Sequence, residues 1–329
     1  MAVRVDAGWA YRGFRAIVLE NRLLRAVILP ELGAKIWEFV HKPSDRNLLW
    51  QNPRIEPRAV PVGGGYDDNW CGGWDELFPN DAPVVHNGEA LPDHGELWCQ
   101  PWEWEVRSTA AEATVGLRRP GCVTPTRMEK WITLREGESV LRFRHRLENQ
   151  GAAPIRFLWK LHPALAIAEH SRIDLPLGRA VIPEDWPGRL GEGITEFEWP
   201  MGRTGWGEEV DMRLLPPPTA GTMDFFYGVE LSDGWCALTD ARERVGFGLA
   251  FPRQVFSSVW LFASYGGWRG YHVAVLEPCT GYPFDLNEAV AAGRFGVLGP
   301  GESLEAEVAA VAYSGLESVQ RISSDGAVE

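Results

Sequence analysis

Two histidines and one glutamate, far apart in the sequence, are the side chains best suited to chemistry. His94 lies in Leu-Pro-Asp-His-Gly-Glu-Leu-Trp (91–98), His162 in Leu-Trp-Lys-Leu-His-Pro-Ala-Leu (158–165), and Glu277 in Val-Leu-Glu-Pro-Cys-Thr-Gly-Tyr-Pro (275–283). Imidazoles and carboxylates are the groups that most often give and take protons in catalysis. No nucleophilic-serine motif, phosphate-binding loop or metal-ligand cluster in the sequence competes with them. Brought together, the three would be suited to moving protons on a sugar.

Each of the three also has a structural interpretation, which the sequence leaves open. His94 stands beside Gly95 at a step from loop to strand, where its ring can reach a ligand, but an isolated histidine there is more often a surface or hydrogen-bonded residue. His162 lies among apolar residues and precedes Pro163, which indicates a strand end or edge; a satisfied core histidine fits equally well. Glu277 closes an apolar strand, where burial would raise its pKa towards that of a general base, but a salt bridge to an arginine would give the same pattern.

The chain has sixteen tryptophans, which offer aromatic surfaces for stacking on the C–H faces of a sugar ring. Five of them lie in or near the segments around the glycine-rich stretch 63–73: Trp70, Trp74, Trp98, Trp102 and Trp104. Most tryptophans in proteins are core residues. We therefore expect one or two of the five to contact a ligand, with Trp70 and Trp74 as the candidates.

Two other chemistries find less support. A zinc site could use the two histidines, but their spacing matches no strong metal motif and the five cysteines are scattered without a CxxC pair. A glycosidase needs two carboxylates facing each other across a cleft. Four carboxylates are candidates for such a pair, but their spacing in the sequence does not identify it: Glu76, Asp93, Glu96 and Glu277.

Charge and composition limit the partners and the compartment. The net charge of −13 disfavours nucleic acids and anionic lipid surfaces but is compatible with a neutral sugar. The first nine residues lack the basic and apolar regions of a signal peptide, and no apolar stretch approaches the roughly 18 residues of a membrane span. The odd number of dispersed cysteines is typical of reduced thiols, so we expect a cytoplasmic protein.

Strand patterns dominate the chain. Residues 141–147, Leu-Arg-Phe-Arg-His-Arg-Leu, place apolar residues and one histidine on one strand face and arginines on the other. Residues 23–40 read as two strands around a turn at 30–33, and Asp285-Leu-Asn-Glu288 is a capping box that predicts one short helix ending near Gly293. The sequence therefore predicts an all-β chain with a single domain over residues 1–322 and a flexible tail over 323–329.

The order of several motifs resembles that of the aldose 1-epimerase (galactose mutarotase-like) superfamily over most of the chain. Residues 24–36 look like that family's first hairpin, and Gly72-Gly73 with Phe78-Pro79 look like its Gly-Gly and Phe-Pro segment. Asp93-His94-Gly95 and Leu161-His162-Pro163 match its two histidine motifs. Glu277-Pro278, followed by Leu298-Gly-Pro-Gly-Glu302, resembles its catalytic carboxylate and closing turn. Each motif alone is weak, but their order is that of the family.

The resemblance implies a fold and a reaction. The fold would be a large two-sheet β supersandwich with few short helices, and no metal or organic cofactor would be needed. Glu277 would take the proton from the anomeric hydroxyl of a monosaccharide or small sugar, His162 would protonate the ring oxygen as the ring opens, and His94 would hydrogen-bond the sugar. We expect a monomer or a homodimer.

Three further residues are candidates for sugar contacts. Asp224, in Met-Asp-Phe-Phe, lies roughly where the family keeps a substrate-binding aspartate, Arg127 is a possible cleft residue, and Glu96 stands where the family has an aromatic residue after the His-Gly motif.

The sequence also departs from the family's pattern. The family's Asn-Arg pair ahead of the first histidine is replaced by Tyr-Asp-Asp-Asn-Trp (66–70), and Ala-Leu follows His162-Pro163. The acid and base could therefore be retained while the residues that contact the sugar differ. The identity of the sugar therefore cannot be inferred from the family. A phosphosugar is disfavoured because these segments contain no arginine or lysine cluster. A non-catalytic carbohydrate-binding or sensing protein on the same scaffold, or a glycosidase or lyase, remains an alternative.

Overall fold

The computed structural model describes residues 3–329, which form 26 strands, two short α-helices and three 3₁₀ turns. From the amino terminus the strands are β1 (Arg4–Tyr11), β2 (Phe14–Glu20), β3 (Leu24–Leu29), β4 (Lys35–His41), β5 (Arg46–Asn47), β6 (Trp74–Leu77), β7 (Val84–His86), β8 (Glu89–Leu91), β9 (Glu103–Ser108), β10 (Glu112–Pro120), β11 (Thr126–Arg135), β12 (Val140–Asn149) and β13 (Ile155–Phe157). They continue as β14 (Lys160–Leu165), β15 (Ser171–Asp174), β16 (Arg179–Val181), β17 (Glu196–Glu198), β18 (Met201–Arg203), β19 (Glu209–Asp211), β20 (Thr222–Val229), β21 (Trp235–Asp240), β22 (Val245–Ala250), β23 (Ser258–Tyr265), β24 (His272–Cys279), β25 (Gly296–Leu298) and β26 (Ser303–Ser314). The helices are α1 (Tyr66–Asn69) and α2 (Leu286–Ala291), and the 3₁₀ turns are Lys42–Ser44, Gly188–Leu190 and Pro218–Ala220.

Two large antiparallel sheets contain most of these strands. The 12-stranded sheet has the order β1-β2-β3-β4-β6-β14-β24-β23-β20-β16-β17, with β5 paired to β4. The 8-stranded sheet has the order β15-β21-β22-β26-β12-β11-β10-β9. Three small two-stranded sheets, β7-β8, β13-β25 and β18-β19, complete the pairing. The predicted all-β, two-sheet supersandwich with few short helices is confirmed.

The hydrophobic core lies between the two large sheets. Trp74 of the 12-stranded sheet packs against Phe143 and Phe247 of the 8-stranded sheet, with ring centroids 4.8 Å and 6.0 Å away. Phe39 meets the same Phe247 at 5.3 Å. Burying one such side chain contributes about 1.5–3 kcal/mol. We call the face of the 12-stranded sheet that packs on this core its core face, and the opposite face its site face.

The local sequence predictions are confirmed where side-chain patterns are strong. Residues 24–40 form the hairpin of β3 and β4, and residues 141–147 lie within β12. Asp285 caps the amino terminus of α2 as predicted, because its side chain accepts hydrogen bonds from the backbone N–H groups of Asn287 and Glu288. Helix α1 has no side-chain cap and gave no sequence signal.

The last residues fold back on the chain in this structure. The Ser323 N–H donates to the Ala327 carbonyl at 2.9 Å, and Ile322 forms a bridge with Val328. That residues 323–329 are flexible in solution stays a prediction, as does the single domain over residues 1–322. Neither helix in residues 3–329 is long and apolar enough to cross a membrane.

Candidate active site

A cavity of about 580 Å³, counting its open mouth, lies on the site face of the 12-stranded sheet. Half of its lining residues are aromatic: Tyr66, Trp70, Trp186, Phe225, Phe262 and Trp268. The other half are ionisable: Asp67, Asp81, His94, Lys160, His162 and Glu277. The three residues that the sequence singled out thus line one cavity.

Strand register explains why His162 and Glu277 meet. Strand β14 pairs with β24 so that Lys160 lies opposite Cys279 and Ala164 opposite Val275, a register that places His162 opposite Glu277. Opposed residues of antiparallel strands project from the same face of the sheet, and so do residues two apart on one strand. Lys160, His162 and Glu277 therefore share the site face. On the other side of β14, His162 is paired with Asp75 of β6, which adds a carboxylate to the same face.

His94 reaches the cavity from a loop whose backbone is tightly constrained. Its φ of 57° lies in the left-handed region, and the next residue, Gly95, has a φ of 72°. A Cβ on Gly95 would lie 2.0 Å from the Phe78 carbonyl oxygen, so only glycine fits there. A non-glycine residue held in this region carries strain that is common at functional sites.

Asp93 ties the His94 ring to helix α1. One carboxylate oxygen of Asp93 accepts a hydrogen bond from His94 Nδ1 at 2.7 Å, and the other accepts from the Tyr66 backbone N–H at 2.7 Å. The His94 ring is stacked on the Tyr66 ring, with centroids 4.1 Å apart. Nε2 of His94 lies 3.9 Å from Asp81 Oδ2. Burial acts to lower the pKa of His94, but the Asp81 charge and the bond to Asp93 outweigh it and the pKa is raised.

Glu277 is a buried carboxylate beside a lysine. The residue is 2% exposed, and its Oε2 forms an ion pair with the Lys160 ammonium at 2.7 Å. Lys160 also donates to Asp81, so the ammonium is shared between two carboxylates. Burial raises the pKa of Glu277 and the charge of Lys160 lowers it. Burial is the larger effect, so the pKa of Glu277 lies above its usual value.

His162 is deeply buried and is held by Tyr66. Nδ1 of His162 lies 3.2 Å from the Tyr66 hydroxyl, and its Nε2 lies 3.9 Å from Glu277 Oε2. Burial lowers the pKa of His162 well below its usual range, and the nearby charge of Lys160 lowers it further. His162 is therefore neutral at physiological pH.

Of the residues predicted from the sequence, Trp70 also lines the cavity, whereas Trp74 and Asp224 do not. Trp74 is adjacent to Asp75 on β6 and so projects from the core face, where it packs on Phe143. Asp224 precedes the cavity residue Phe225 on β20 and also projects from the core face. Its carboxylate is 2% exposed and bonds to Arg189 at 2.6 Å.

Glu96 and Arg127 are likewise outside the cavity lining. Glu96 is 1% exposed, and its carboxylate accepts hydrogen bonds from the backbone N–H groups of residues 122–124, so it anchors that loop. Arg127 lies on β11 of the 8-stranded sheet and pairs with Glu129 and Glu148 at 3.5 Å and 3.3 Å. We leave these two residues, with Trp74 and Asp224, out of the candidate site.

Lys160 is the main site residue that the sequence reasoning missed. A signal for it was present, because Lys160 stands two positions before His162 in an apolar strand and must share its face. A lysine in such a strand needs a carboxylate partner, and Glu277 and Asp81 provide it. The aromatic residues Trp186, on the loop after β16, and Phe262 and Trp268, on β23 and the loop after it, carried no comparable signal.

Comparison with solved structures identifies the fold. A protein from Klebsiella pneumoniae provisionally named an aldose 1-epimerase aligns with a TM-score of 0.71 and 14% identity, over 94% of this chain and 83% of that chain. A galactose mutarotase-like protein from Clostridium acetobutylicum gives a TM-score of 0.66 and 12% identity, over 95% and 99% of the two chains. A galactose mutarotase related enzyme from Lactobacillus acidophilus gives 0.63 and 16%, over 91% and 97%.

No family model matches the chain. The resemblance inferred from the sequence motifs is therefore confirmed at the level of the fold, and this chain has the galactose mutarotase-like fold. At these identities the comparisons establish the fold alone and not the chemistry of the cavity.

Proposed function

We propose that the protein is an isomerase that interconverts the anomers of a free aldose by opening and closing its ring. The observation that carries this proposal is that the buried carboxylate of Glu277 lines one cavity together with two histidines, His94 and His162. A hydroxyl group of a bound sugar would donate to this carboxylate.

The reaction needs two proton transfers in one bound geometry. Glu277 accepts the proton of the anomeric hydroxyl while the bond between C1 and the ring oxygen breaks and the C1 carbonyl forms. A histidine delivers a proton to the departing ring oxygen. After rotation about the C1–C2 bond, the same two groups return their protons in reverse as the ring closes from the other face. Each positioned transfer contributes typically 10²–10⁴-fold to the rate, which suits a reaction that also proceeds in water.

The cavity walls support a neutral monosaccharide or small sugar as the substrate. Trp186, Phe262 and Trp268 provide aromatic faces on which sugar C–H groups can stack, and they come from three different loops and strands. The lining carries more carboxylates than fixed cations, which repels phosphate groups. All five cysteines are free, which fits the proposed cytoplasmic location. We propose a monomer or a homodimer that uses no cofactor and binds no nucleic acid or membrane.

Polarimetry on freshly dissolved pure anomers of a panel of neutral aldoses tests this function. We expect at least one sugar to reach its anomeric equilibrium faster, at a rate proportional to protein concentration, with heat-inactivated protein as the blank. The same panel should include aldose 6-phosphates, which we expect to be poor substrates. A folded protein that accelerates none of the sugars would contradict the proposal.

One observation favours a second candidate, a non-catalytic sugar-binding or sensing protein. The Lys160 ammonium lies 2.7 Å from the proposed base, and an ion pair of this kind can hold a carboxylate in a purely binding role. Calorimetric titration of the same sugars distinguishes the two. Micromolar binding without anomer exchange would favour the binding protein.

A further inference from the structure

A buried chain of polar groups runs from Lys35 to His162 beneath the cavity. Lys35 Nζ lies 2.5 Å from Asp75 Oδ2, the Tyr66 hydroxyl lies 2.9 Å from the same oxygen, and His162 Nδ1 lies 3.2 Å from the Tyr66 hydroxyl. All four residues are at most 5% exposed. The proposed reaction does not by itself explain why a tyrosine, an aspartate and a lysine form a hydrogen-bonded chain that ends at one histidine.

The direction of the hydrogen bonds in this chain follows from the groups themselves. Asp75, paired with the Lys35 ammonium, is an acceptor only, so the Tyr66 hydroxyl donates its single proton to Asp75. The Tyr66 oxygen can then only accept from His162. Nδ1 of His162 must therefore carry the proton, and in a neutral ring that leaves Nε2 with a lone pair.

The lone pair on His162 Nε2 changes what this histidine can do. Its Nε2 lies 3.9 Å from Glu277 Oε2, so two hydrogen-bond acceptors stand side by side at the cavity. Neither can give a proton to a sugar ring oxygen in its resting state. Lys160 is an unsuitable donor, because the charges of Asp81 and Glu277 outweigh burial and raise its pKa.

His94 has the opposite arrangement. Its Nδ1 donates to Asp93 at 2.7 Å, and among the described residues its Nε2 forms no hydrogen bond, with Asp81 Oδ2 as the near group at 3.9 Å. The pKa of His94 is raised whereas that of His162 is lowered, a divergence that separates acid from base in other active sites. The charged or titratable groups around His94 are Asp93 of its own loop, Asp67 and Tyr66 of α1, Asp81 of the loop after β6, Lys160 and His162 of β14, and Glu277 of β24.

We propose that Tyr66 and Asp75 are positioning residues that fix His162 as a hydrogen-bond acceptor, and that His94 is the catalytic acid that protonates the sugar ring oxygen. In ring opening, Glu277 takes the anomeric proton, the bond from C1 to the ring oxygen breaks, and His94 Nε2 gives its proton to that oxygen. His162 Nε2 accepts a hydrogen bond from a sugar hydroxyl. The assignment rests on the proposed function and reverses the roles that the family resemblance gives the two histidines.

Nitrogen-15 NMR of the histidine rings tests the positioning step without any assay of activity. Long-range proton–nitrogen spectra distinguish the two neutral tautomers, and loss of one signal set in His162→Gln assigns the residue. We expect the Nδ1–H tautomer for His162, and we expect the His94 ring to keep its second proton to a higher pH than an ordinary histidine. Tyr66→Phe should abolish the single tautomer of His162. Tyr313→Phe is the matched control, since that buried hydroxyl bonds to Thr239 in the other sheet. An Nε2–H tautomer in the unaltered protein would overturn the proposal.

The pH dependence of anomer exchange tests the acid assignment. We expect His94→Gln to lower the rate by at least about 100-fold, the lower bound for one proton transfer, and to remove the fall in rate at alkaline pH. His162→Gln should keep that alkaline fall while raising KM. The reverse pattern, with the fall lost only in the His162 variant, would refute the assignment. His94→Asn replaces the glutamine variant if the latter does not fold.

The two proposals fail in different ways. If the unaltered protein exchanges no sugar anomers, the proposed function and the acid role of His94 both fall, while the tautomer measurement still decides whether Tyr66 and Asp75 position His162. If exchange is present and the alkaline fall belongs to His162, only the acid assignment falls.

Discussion

Replacing Glu277 by glutamine removes the proposed base with little change in shape. The amide keeps an acceptor oxygen for the sugar but cannot take a proton at neutral pH. Losing one positioned proton transfer should lower the rate of anomer exchange by about 10²–10⁴-fold, or about 2.7–5.4 kcal/mol of transition-state stabilisation. Lys160 keeps Asp81 as its partner, so we expect a smaller loss of stability than the roughly 3–5 kcal/mol that follows when a buried ion pair is broken.

The chain offers a closely matched control in Glu76. This glutamate is also 2% exposed on a strand of the 12-stranded sheet and bonds to a buried lysine, Lys130, at 2.6 Å, but it projects from the core face. Its replacement leaves Lys130 and His145 without their carboxylate, so Glu76→Gln should cost about 3–5 kcal/mol of stability. The rate of anomer exchange per folded molecule of Glu76→Gln should stay within about twofold of that of the unaltered protein, because the variant keeps Glu277, the proposed base.

The assay combines NMR exchange spectroscopy on the accepted sugar with urea unfolding of each variant. Sugar affinity, measured by quenching of tryptophan fluorescence, should change only a few-fold in Glu277→Gln, since the aromatic walls remain. Glu277 is not the base if Glu277→Gln retains the full rate, or if Glu76→Gln loses as much rate per folded molecule as Glu277→Gln does.

Three further predictions follow from the cavity. The rate should rise with pH through the raised pKa of Glu277, which must lose its proton, and fall through the raised pKa of His94, which must keep its proton; a pH–rate profile without this maximum would contradict the pairing. Trp186→Ala should weaken sugar binding by about 2- to 13-fold, from roughly 0.5–1.5 kcal/mol of stacking, as calorimetry can measure. Trp206→Ala, at a 73% exposed tryptophan outside the cavity, should leave binding unchanged. Arg127→Ala should leave kcat and KM unchanged in the exchange assay, and a large increase in KM would place it in the sugar site after all.

The fold was predictable where the signals are local. Period-two alternation marked β12, the breakers at 30–33 marked the turn between β3 and β4, and the capping box marked α2. Helix α1 was not predictable from the sequence, because a helix of four residues without a side-chain cap has no periodic pattern. The position of β14 between β6 and β24 could not be read from local patterns, since strand pairing depends on residues far apart in the sequence.

The candidate site was predictable in its reactive groups and less so in its surroundings. His94, His162 and Glu277 stood out by residue type and by their resemblance to family motifs, and the cavity brings them together. For Trp74 and Asp224 the sequence alone does not predict which face of the sheet the side chain projects from, because that face depends on strand register. One step along the strand in each case, at Asp75 and Phe225, the side chain reaches the site face.

A crystal structure with a bound aldose tests the central claim most directly. We expect the anomeric hydroxyl to donate to the Glu277 carboxylate, the ring oxygen to lie within hydrogen-bond distance of His94 Nε2, and another hydroxyl to donate to His162 Nε2. A sugar bound with its anomeric hydroxyl pointing to solvent, and with no hydroxyl bonded to Glu277, would contradict the proposed function.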